Sequence, residues 1–391
     1  MSWKDQIMKF LKKQIKEEWD DLKKFENLSD SERSIVFYAE NEASINHFRT
    51  LIDELTETLN LQICYVTSVK NDPVLSSNNN NILSFYIGDG TARTKFFLML
   101  KAKILLMDMP DLDKYHIKRS KVYPVHYIYL FHSMFSTHSY LKKGALDNYD
   151  TIFCVGQHHV NEIKATEEFY GLKSKKLVNY GYGRWDTLLK EKKNFKKLDS
   201  NLKNLVLITP SYGKENILQK SGTELISLLL KSNFSVLLRP HFRTLKDSKK
   251  LIDSIKEKFS DNPKFIFQDG IIPSKYFQNS ICMISDWSGI SFEYAFTFER
   301  PVIFIDVPKK ELNPNSNDIS FIPIETSFRN KLGLVVSPDN LKIIPELIND
   351  IEQNNKFETQ IQKIRSQTVF NISQSAKTGA DFIQKLIQYN K

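Results

Sequence analysis

The stretch Ile281-Cys282-Met283-Ile284-Ser285-Asp286-Trp287-Ser288-Gly289-Ile290-Ser291-Phe292-Glu293 decides what kind of fold this chain is expected to adopt. Its first four residues are a short apolar run, which reads as a buried strand. Small hydroxyl residues end the run, and Ser288-Gly289 ahead of Ile290-Ser291-Phe292 reads as a helix start. A strand running straight into a helix aims unpaired backbone N–H groups and the positive end of the helix dipole at one point, which suits a phosphate. Ser288 and Gly289 add little bulk, so a ligand can come close to the backbone. The layout recurs outward from this stretch. Phe234-Ser235-Val236-Leu237-Leu238 leads into Arg239-Pro240-His241, and Val125 to Phe131 leads into His132-Ser133. Strand ends that carry hydroxyls, an arginine and histidines predict one cleft for an anionic ligand.

Elsewhere apolar, β-branched runs alternate with helical spacing, which predicts an α/β fold with parallel sheets. Strands are expected at Ile35–Tyr38, Gln62–Val66, Ile82–Ile87, Ile104–Met107, Val125–Phe131, Ile152–Val155 and Leu177–Tyr180, with helices between them. Lys190 to Lys203 is rich in charge and poor in apolar periodicity, so it reads as a linker. A second series follows at Leu205–Thr209, Val236–Leu238, Phe265–Phe267, Cys282–Ser285, Val302–Ile305 and Leu334–Val336. The tail from Leu341 to Tyr389 reads as helical, with Gly379 as a break. The expected division is an amphipathic helix over 1–30, a Rossmann-like acceptor domain over 31–190, and a Rossmann-like nucleotide-donor domain with helical tail over 204–391. Strand ends of both domains would face a shared cleft.

At 391 residues the chain exceeds the size of one core, and 41% hydrophobic content with 27 Phe and 16 Tyr can fill two. The net charge of +9 fits an anionic partner. Lysine pairs such as Lys142-Lys143, Lys192-Lys193 and Lys309-Lys310 read as solvated faces. Cys64, Cys154 and Cys282 each sit in an apolar run without metal spacing, so reduced core thiols are expected, with no metal and no cofactor. Interleaved aromatic-basic motifs are lacking, which argues against a nucleic-acid partner. The N-terminus shows no short apolar core with a cleavage site, and no run of about 18 apolar residues occurs. The expected location is therefore cytoplasmic or peripheral at the inner face of the cell membrane. Trp3, Ile7, Phe10, Leu11, Ile15, Trp19, Leu22 and Phe25 recur at helical spacing, with lysines on much of the other side. Such a helix contacts a membrane surface, its own domain or a partner.

These motifs resemble those of the CDP-glycerol glycerophosphotransferases, teichoic-acid primases and polymerases with a GT-B fold. The resemblance rests on Arg239-Pro240-His241, on Ser285-Asp286-Trp287-Ser288-Gly289 running into Phe292-Glu293-Tyr294-Ala295, and on Arg300-Pro301-Val302-Ile303-Phe304. Thr209-Pro210-Ser211-Tyr212 is similar to the family's Ala-Pro-Thr-Trp segment, and Gly181-Tyr182-Gly183-Arg184-Trp185-Asp186 to its Gly-x-Pro-Arg-x-Asp turn. His132-Ser133 stands where the family has His-Gly. The family's following Thr-Pro-Leu-Lys is here Met134-Phe135-Ser136-Thr137, ahead of a second histidine, His138, which marks a divergent branch.

The resemblance implies transfer of a polyol-phosphate group from a CDP-linked donor to a hydroxyl of a lipid-linked or surface-glycan acceptor, with CMP released. It implies His132 as general base and Glu293 as a ribose ligand. An imidazole has an ordinary pKa of about 6.5, so it can take a hydroxyl proton near neutral pH. His241 and Arg239 would hold the departing phosphate. Ser285, Ser288 and Gly289 would bind donor phosphates, and Asp286 would orient the loop or a sugar hydroxyl. His138 and the loop Gly88-Asp89-Gly90 are expected on the acceptor side. Arg184 and Asp186 are expected to pair with each other. The alternative is a GT-B glycosyltransferase that uses a nucleotide sugar in capsule or surface-polysaccharide synthesis.

Overall fold

The computed structural model describes residues 3–193, 203–270, 272–354 and 356–389, excluding the side chains of residues 3–8, 10, 11 and 389. One sheet is built from β1 (Ile35–Ala39), β2 (Ile63–Thr67), β3 (Ile82–Tyr86), β4 (Ile104–Met107), β5 (His126–Leu130), β6 (Thr151–Cys154) and β7 (Lys176–Asn179). A second is built from β8 (Leu205–Thr209), β9 (Ser235–Leu238), β10 (Phe265–Phe267), β11 (Ser280–Ser285), β12 (Val302–Ile305) and β13 (Gly333–Val336). All pairings are parallel. The spatial orders are β3-β2-β1-β4-β5-β6-β7 and β10-β9-β8-β11-β12-β13.

Each order reverses once, between β1 and β4 and between β8 and β11. The strands that flank a reversal send their connections to opposite faces of the sheet, which opens a crevice beyond their carboxyl ends. The continuous apolar runs follow from burial on both faces. In β1, Ile35, Phe37 and Ala39 pack with Phe48, Leu51 and Ile383, while Val36 and Tyr38 pack on the other side with Phe96 and Phe97. The core then continues between the domains, where Trp185 meets Phe296 with ring centroids 6.3 Å apart and Phe135 meets Phe292 at 5.2 Å.

The termini depart from the expected division. The N-terminal helix, Trp3–Glu26, spends its second half on its own domain. Leu22 and Phe25 are buried, and the Phe25 ring lies 5.6 Å from Phe85 and 5.2 Å from Phe96. Leu22 and Phe25 are thus covered by the domain, Ile15 is exposed, and Ile7, Phe10 and Leu11 lie outside the described side chains. The C-terminal helix, Ser375–Tyr389, leaves the second domain and packs on the first. Ala380 and Ile383 join the core beneath β1, and Phe382 packs against Phe153 at 5.7 Å. Gly379 is no break. It lies inside this helix, where a Cβ would stand 2.7 Å from the Tyr180 ring, so glycine permits the close approach. The expected linker is helical at its start, because the helix Gly183–Lys193 runs into it, and residues 194–202 lie outside the described residues. No helix among the described residues is long and apolar enough to cross a membrane.

Candidate active site

The two crevices meet in an interdomain cavity of about 430 Å³. From the first domain it is lined by Ala43, Asn46 and His47 after β1, by His132 and Ser133 after β5, and by Tyr182 and Arg184. From the second come Ser211 and Tyr212 after β8, Arg239 and His241 after β9, Trp287 to Ile290 and Glu293 after β11, and Lys309, Lys310 and Glu325.

The two imidazoles on opposite walls carry opposite tautomers. His132 Nδ1 lies 3.0 Å from the Asp108 carbonyl oxygen, which can only accept. The proton therefore sits on Nδ1, and the neutral ring keeps a lone pair on Nε2. Burial lowers the His132 pKa and the Asp108 hydrogen bond partly offsets this, so the ring is neutral near pH 7. The Asp108 side chain is itself held by Ser44 Oγ at 3.0 Å, and burial pushes its pKa up to about 7. His241 is the reverse case. It caps the helix Phe242–Asp247, and its Nδ1 accepts from the Arg243 N–H at 3.2 Å. Its proton then belongs on Nε2. Burial, followed by Arg239, Arg243 and Lys310, lowers its pKa to about 4. An anionic ligand among those three cations would cancel part of that shift and make His241 a better proton donor.

Around His241 the second domain gathers donors for an anion. Arg239 gives Nε to the Gly270 carbonyl at 3.0 Å, which leaves its two terminal amino groups unengaged among the described residues. Gly289 is the N-cap of the helix Ile290–Phe298 and supplies no side-chain cap; Gly289 and Ile290 line the cavity, while the N–H groups of Ser291 and Phe292 donate to the carbonyls of Ser288 and Gly289. The Ser288 hydroxyl lines the same wall. Glu293, one turn further, also lines the cavity, and Tyr182 OH donates to its Oε1 at 2.7 Å across the domain boundary.

Other expected site residues stand elsewhere. Ser285 Oγ donates to the Thr209 carbonyl at 2.7 Å and is fully buried, away from the cavity. The Asp286 carboxylate accepts from the N–H groups of Ser211 at 2.7 Å, Trp287 at 2.7 Å and Ile217 at 3.0 Å. It is buried, shapes the loop and does not line the cavity. Gly88, Asp89 and Gly90 follow the edge strand β3, two strands from the reversal point, and do not line the cavity. The N-terminal helix covers Gly88, where a Cβ would collide with the Glu18 carboxylate and where φ is +59°. Asp186 does not pair with Arg184; it caps the C-terminal helix by accepting from the N–H groups of Ser373 and Ser375.

His138 is drawn into a clasp between domains. Its Nε2 donates to the Phe321 carbonyl at 3.0 Å, and its Nδ1 stands 3.5 Å from Glu162 Oε2. Asn313 donates to the His138 carbonyl at 2.8 Å. The same loop is gripped by two buried carboxylates. Glu162, from the first domain, accepts from Thr137 N at 2.6 Å and Thr137 Oγ1 at 2.9 Å. Glu325, from the second, accepts from Ser136 N at 3.1 Å and from the Ser139 hydroxyl. His158 and His159 donate to the carbonyls of Met134 and Phe135, each at 2.9 Å. The segment after His132 is thus fixed from both domains.

His47 and Glu325 line the cavity with no local signal in the sequence, and Tyr182 lines it from a turn whose motif was visible without a role for the tyrosine. Lys309 and Lys310, expected as solvated, line the cavity: Lys309 Nζ lies 3.4 Å from Glu325 Oε1, and Lys310 sits over the Tyr212 ring. A lysine pair on a loop after an apolar strand could have raised the question, since loops beyond parallel strands carry ligands.

A family model described as CDP-glycerol:poly(glycerophosphate) glycerophosphotransferase matches residues 24–311. No curated protein matches the chain. Among solved structures, a variant of the wall teichoic acid polymerase TagF soaked with CDPG is similar at 14% identity and a TM-score of 0.61, covering 100% of this chain and 99% of that one. UDP-GlcNAc 2-epimerase from Methanocaldococcus jannaschii, in complex with UDP-GlcNAc and UDP, is similar at 14% identity and a TM-score of 0.55, covering 91% and 99%. MnaA of S. aureus, solved with UDP, gives 10% identity, a TM-score of 0.61, and coverage of 91% and 97%. These likenesses establish the GT-B-like arrangement of two parallel-sheet domains.

Proposed function

The chain belongs to the CDP-glycerol:poly(glycerophosphate) glycerophosphotransferase family, and on that premise we propose that it moves a polyol-phosphate group from a CDP-linked donor to the hydroxyl of a lipid-linked or surface-glycan acceptor. The enzyme is a transferase of that type; the residue roles, the acceptor and the release of CMP are this reading. His132 Nε2 takes the acceptor's hydroxyl proton. The freed oxygen bonds to the distal phosphorus as the bond from that phosphorus to the bridging oxygen breaks. The bridging oxygen leaves on CMP. Arg239, His241 Nε2–H, the Ser288 hydroxyl and the helix start at Gly289 face the charge that builds there. Such chemistry rests on positioning and electrostatic stabilisation.

The observation that carries the reading is the pairing of tautomers across one cavity: a lone pair on His132 Nε2, fixed by Asp108, against a proton on His241 Nε2, fixed by Arg243. A net charge of +9 suits approach to an anionic membrane surface that presents a lipid-linked acceptor at its inner face. The test is donor screening. CMP should appear from CDP-glycerol or CDP-ribitol when an acceptor is present. Release of UDP from sugar nucleotides, with CDP-polyols inert, would replace this reading with the glycosyltransferase one.

A further inference from the structure

The residue after His132 is serine where the motif it resembles has glycine. Ser133 lines the cavity beside His132. The backbone at 133 does not take a positive φ, so it does not call for glycine and a side chain costs no strain. Ser133 Oγ accepts from the Phe135 N–H at 3.2 Å, which fixes the oxygen. Its own hydrogen finds no acceptor among the described residues, so a donor on a settled oxygen is left unspent. That oxygen faces the opposite wall. A Cβ on Gly289 would lie 3.6 Å from Ser133 Oγ, so the hydroxyl stands against the helix start of the second domain. Packing holds this register. Phe135, two residues beyond Ser133, meets Phe292, three residues beyond Gly289, with ring centroids 5.2 Å apart. Glu325 of the second domain then takes the Ser136 N–H at 3.1 Å. Ser133 is the point where the wall of His132 comes within reach of the wall of Ser288 and Gly289.

We propose that Ser133 is a further catalytic residue, whose hydroxyl donates to a non-bridging oxygen of the phosphoryl group in transfer. The inference rests on the donor reading above and adds to it a donor on the attacking side. Arg239, His241, Ser288 and Gly289 all belong to the second-domain wall, where the leaving group is held. Ser133 belongs to the wall of the base. As the acceptor oxygen closes on the distal phosphorus, charge spreads over the non-bridging oxygens. A donor already fixed beside them stabilises that charge without reorganising. Ser133 keeps its proton throughout. His132 still takes the acceptor's proton and CMP still leaves with the bridging oxygen, so the balance of the step is unchanged. A glycine at 133 would place no side-chain donor between the two walls.

The test uses the full chain, a soluble poly(glycerophosphate) oligomer as acceptor, and three donors. These are CDP-glycerol and its two diastereomers with sulfur in place of one non-bridging oxygen on the distal phosphorus. Ser133→Ala and Ser133→Gly should each lower kcat for CDP-glycerol by about ten- to a hundredfold, the worth of a hydrogen bond to a charged group. The KM for CDP-glycerol should stay within about twofold. Sulfur is a weak acceptor, so the wild type forfeits the Ser133 bond with one diastereomer. For that diastereomer the oxygen-to-sulfur rate ratio should fall by about tenfold in both variants, and for the other it should not change. A serine that serves only the turn to Phe135 would lower the melting temperature and slow all three donors alike. Unchanged kcat, or unchanged ratios for both diastereomers, would overturn the role. Failure of the wild type to turn over CDP-glycerol would instead strike the donor reading, so the two failures are distinguishable.

Discussion

The loops after β5 and β11 both lead from a buried strand into the same cavity, but different parts of the chain fix their shapes. Beyond β11, Asp286 gathers N–H groups from its own neighbour Trp287 and from the adjacent strand-end segment at Ser211 and Ile217. The loop is tied within its own domain. Beyond β5, the segment from Ser133 to Tyr140 is tied by Glu162 and His159 of one domain and by Glu325, Asn313 and Phe321 of the other. The first loop is held by contacts within its own domain alone. The second is held from both domains, which couples the place of His132, the proposed base, to domain contact.

The sharpest way to break this comparison is at the imidazoles. His132→Ala should lower turnover by about 10²–10⁴-fold, the usual worth of a general base. Because burial lowers its pKa, wild-type kcat/KM should hold down through pH 6.5 and fall only below it, as the base becomes protonated. An acid limb above that value would assign the base to another group. His241→Ala should cost about 10²–10³-fold in kcat, the scale for losing a donor at a developing charge. Full turnover in that variant would remove it from the reaction.

The next prediction separates the loops directly. Glu325→Gln should reduce kcat by about tenfold, from weakened hydrogen bonds to the buried loop, with a smaller change in donor KM. Asp286→Ala should act on stability, lowering it by about 3 kcal/mol because buried N–H groups lose their acceptor. Thermal denaturation with and without CDP would show both, and equal kcat and stability profiles for the two variants would erase the distinction.

The smallest expected effect is the pH dependence of the clasp. Burial opposes the charge on His138, but Glu162 outweighs it and the His138 pKa is raised above 6.5. A raised pKa stabilises fully below 6.5 and is lost as pH climbs through the folded value. For Glu162, burial is outweighed by His138 and by the neighbouring His159 and His158, and its pKa falls from 4.5 to about 2. That contribution is present above 4.5 and lost as pH drops toward 2. Stability from this pair should therefore peak between 4.5 and 6.5, and His138→Gln should flatten the alkaline limb. An unchanged limb would mean another group titrates there.

Much of the second domain was legible because its signals are local. Leu205–Thr209 and Val302–Ile305 were expected at the bounds the structure shows, since a fully buried parallel strand is written as an apolar run, and so was the half-buried edge strand Phe265–Phe267. Arg239, His241, Ser288, Gly289 and Glu293 reach the cavity from strand ends and a helix start that were visible as motifs. The errors share one cause. Ser285 and Asp286 belong to the same motif, but their polar atoms are consumed by Thr209, Ser211 and Ile217, which lie some 70 residues away in sequence. Gly88-Asp89-Gly90 looked like a ligand loop, yet β3 sits at the sheet edge under the N-terminal helix.

By itself the sequence determined two parallel α/β domains and the strand ends that carry histidine, arginine and hydroxyl groups. Periodicity and turn chemistry act over a few residues, and a few residues suffice to record them. Only the tertiary structure decided which strand ends flank the reversals of order, which carboxylates clasp the His132 loop, and that the final helix returns to the first domain. Those outcomes depend on contacts between distant segments, where burial and hydrogen-bond satisfaction are settled jointly. No single stretch of the chain encodes them. His47 shows the point most plainly: as a lone histidine on a helix it carries no signal, and only the folded chain brings it to the wall that His132 and Arg184 also line.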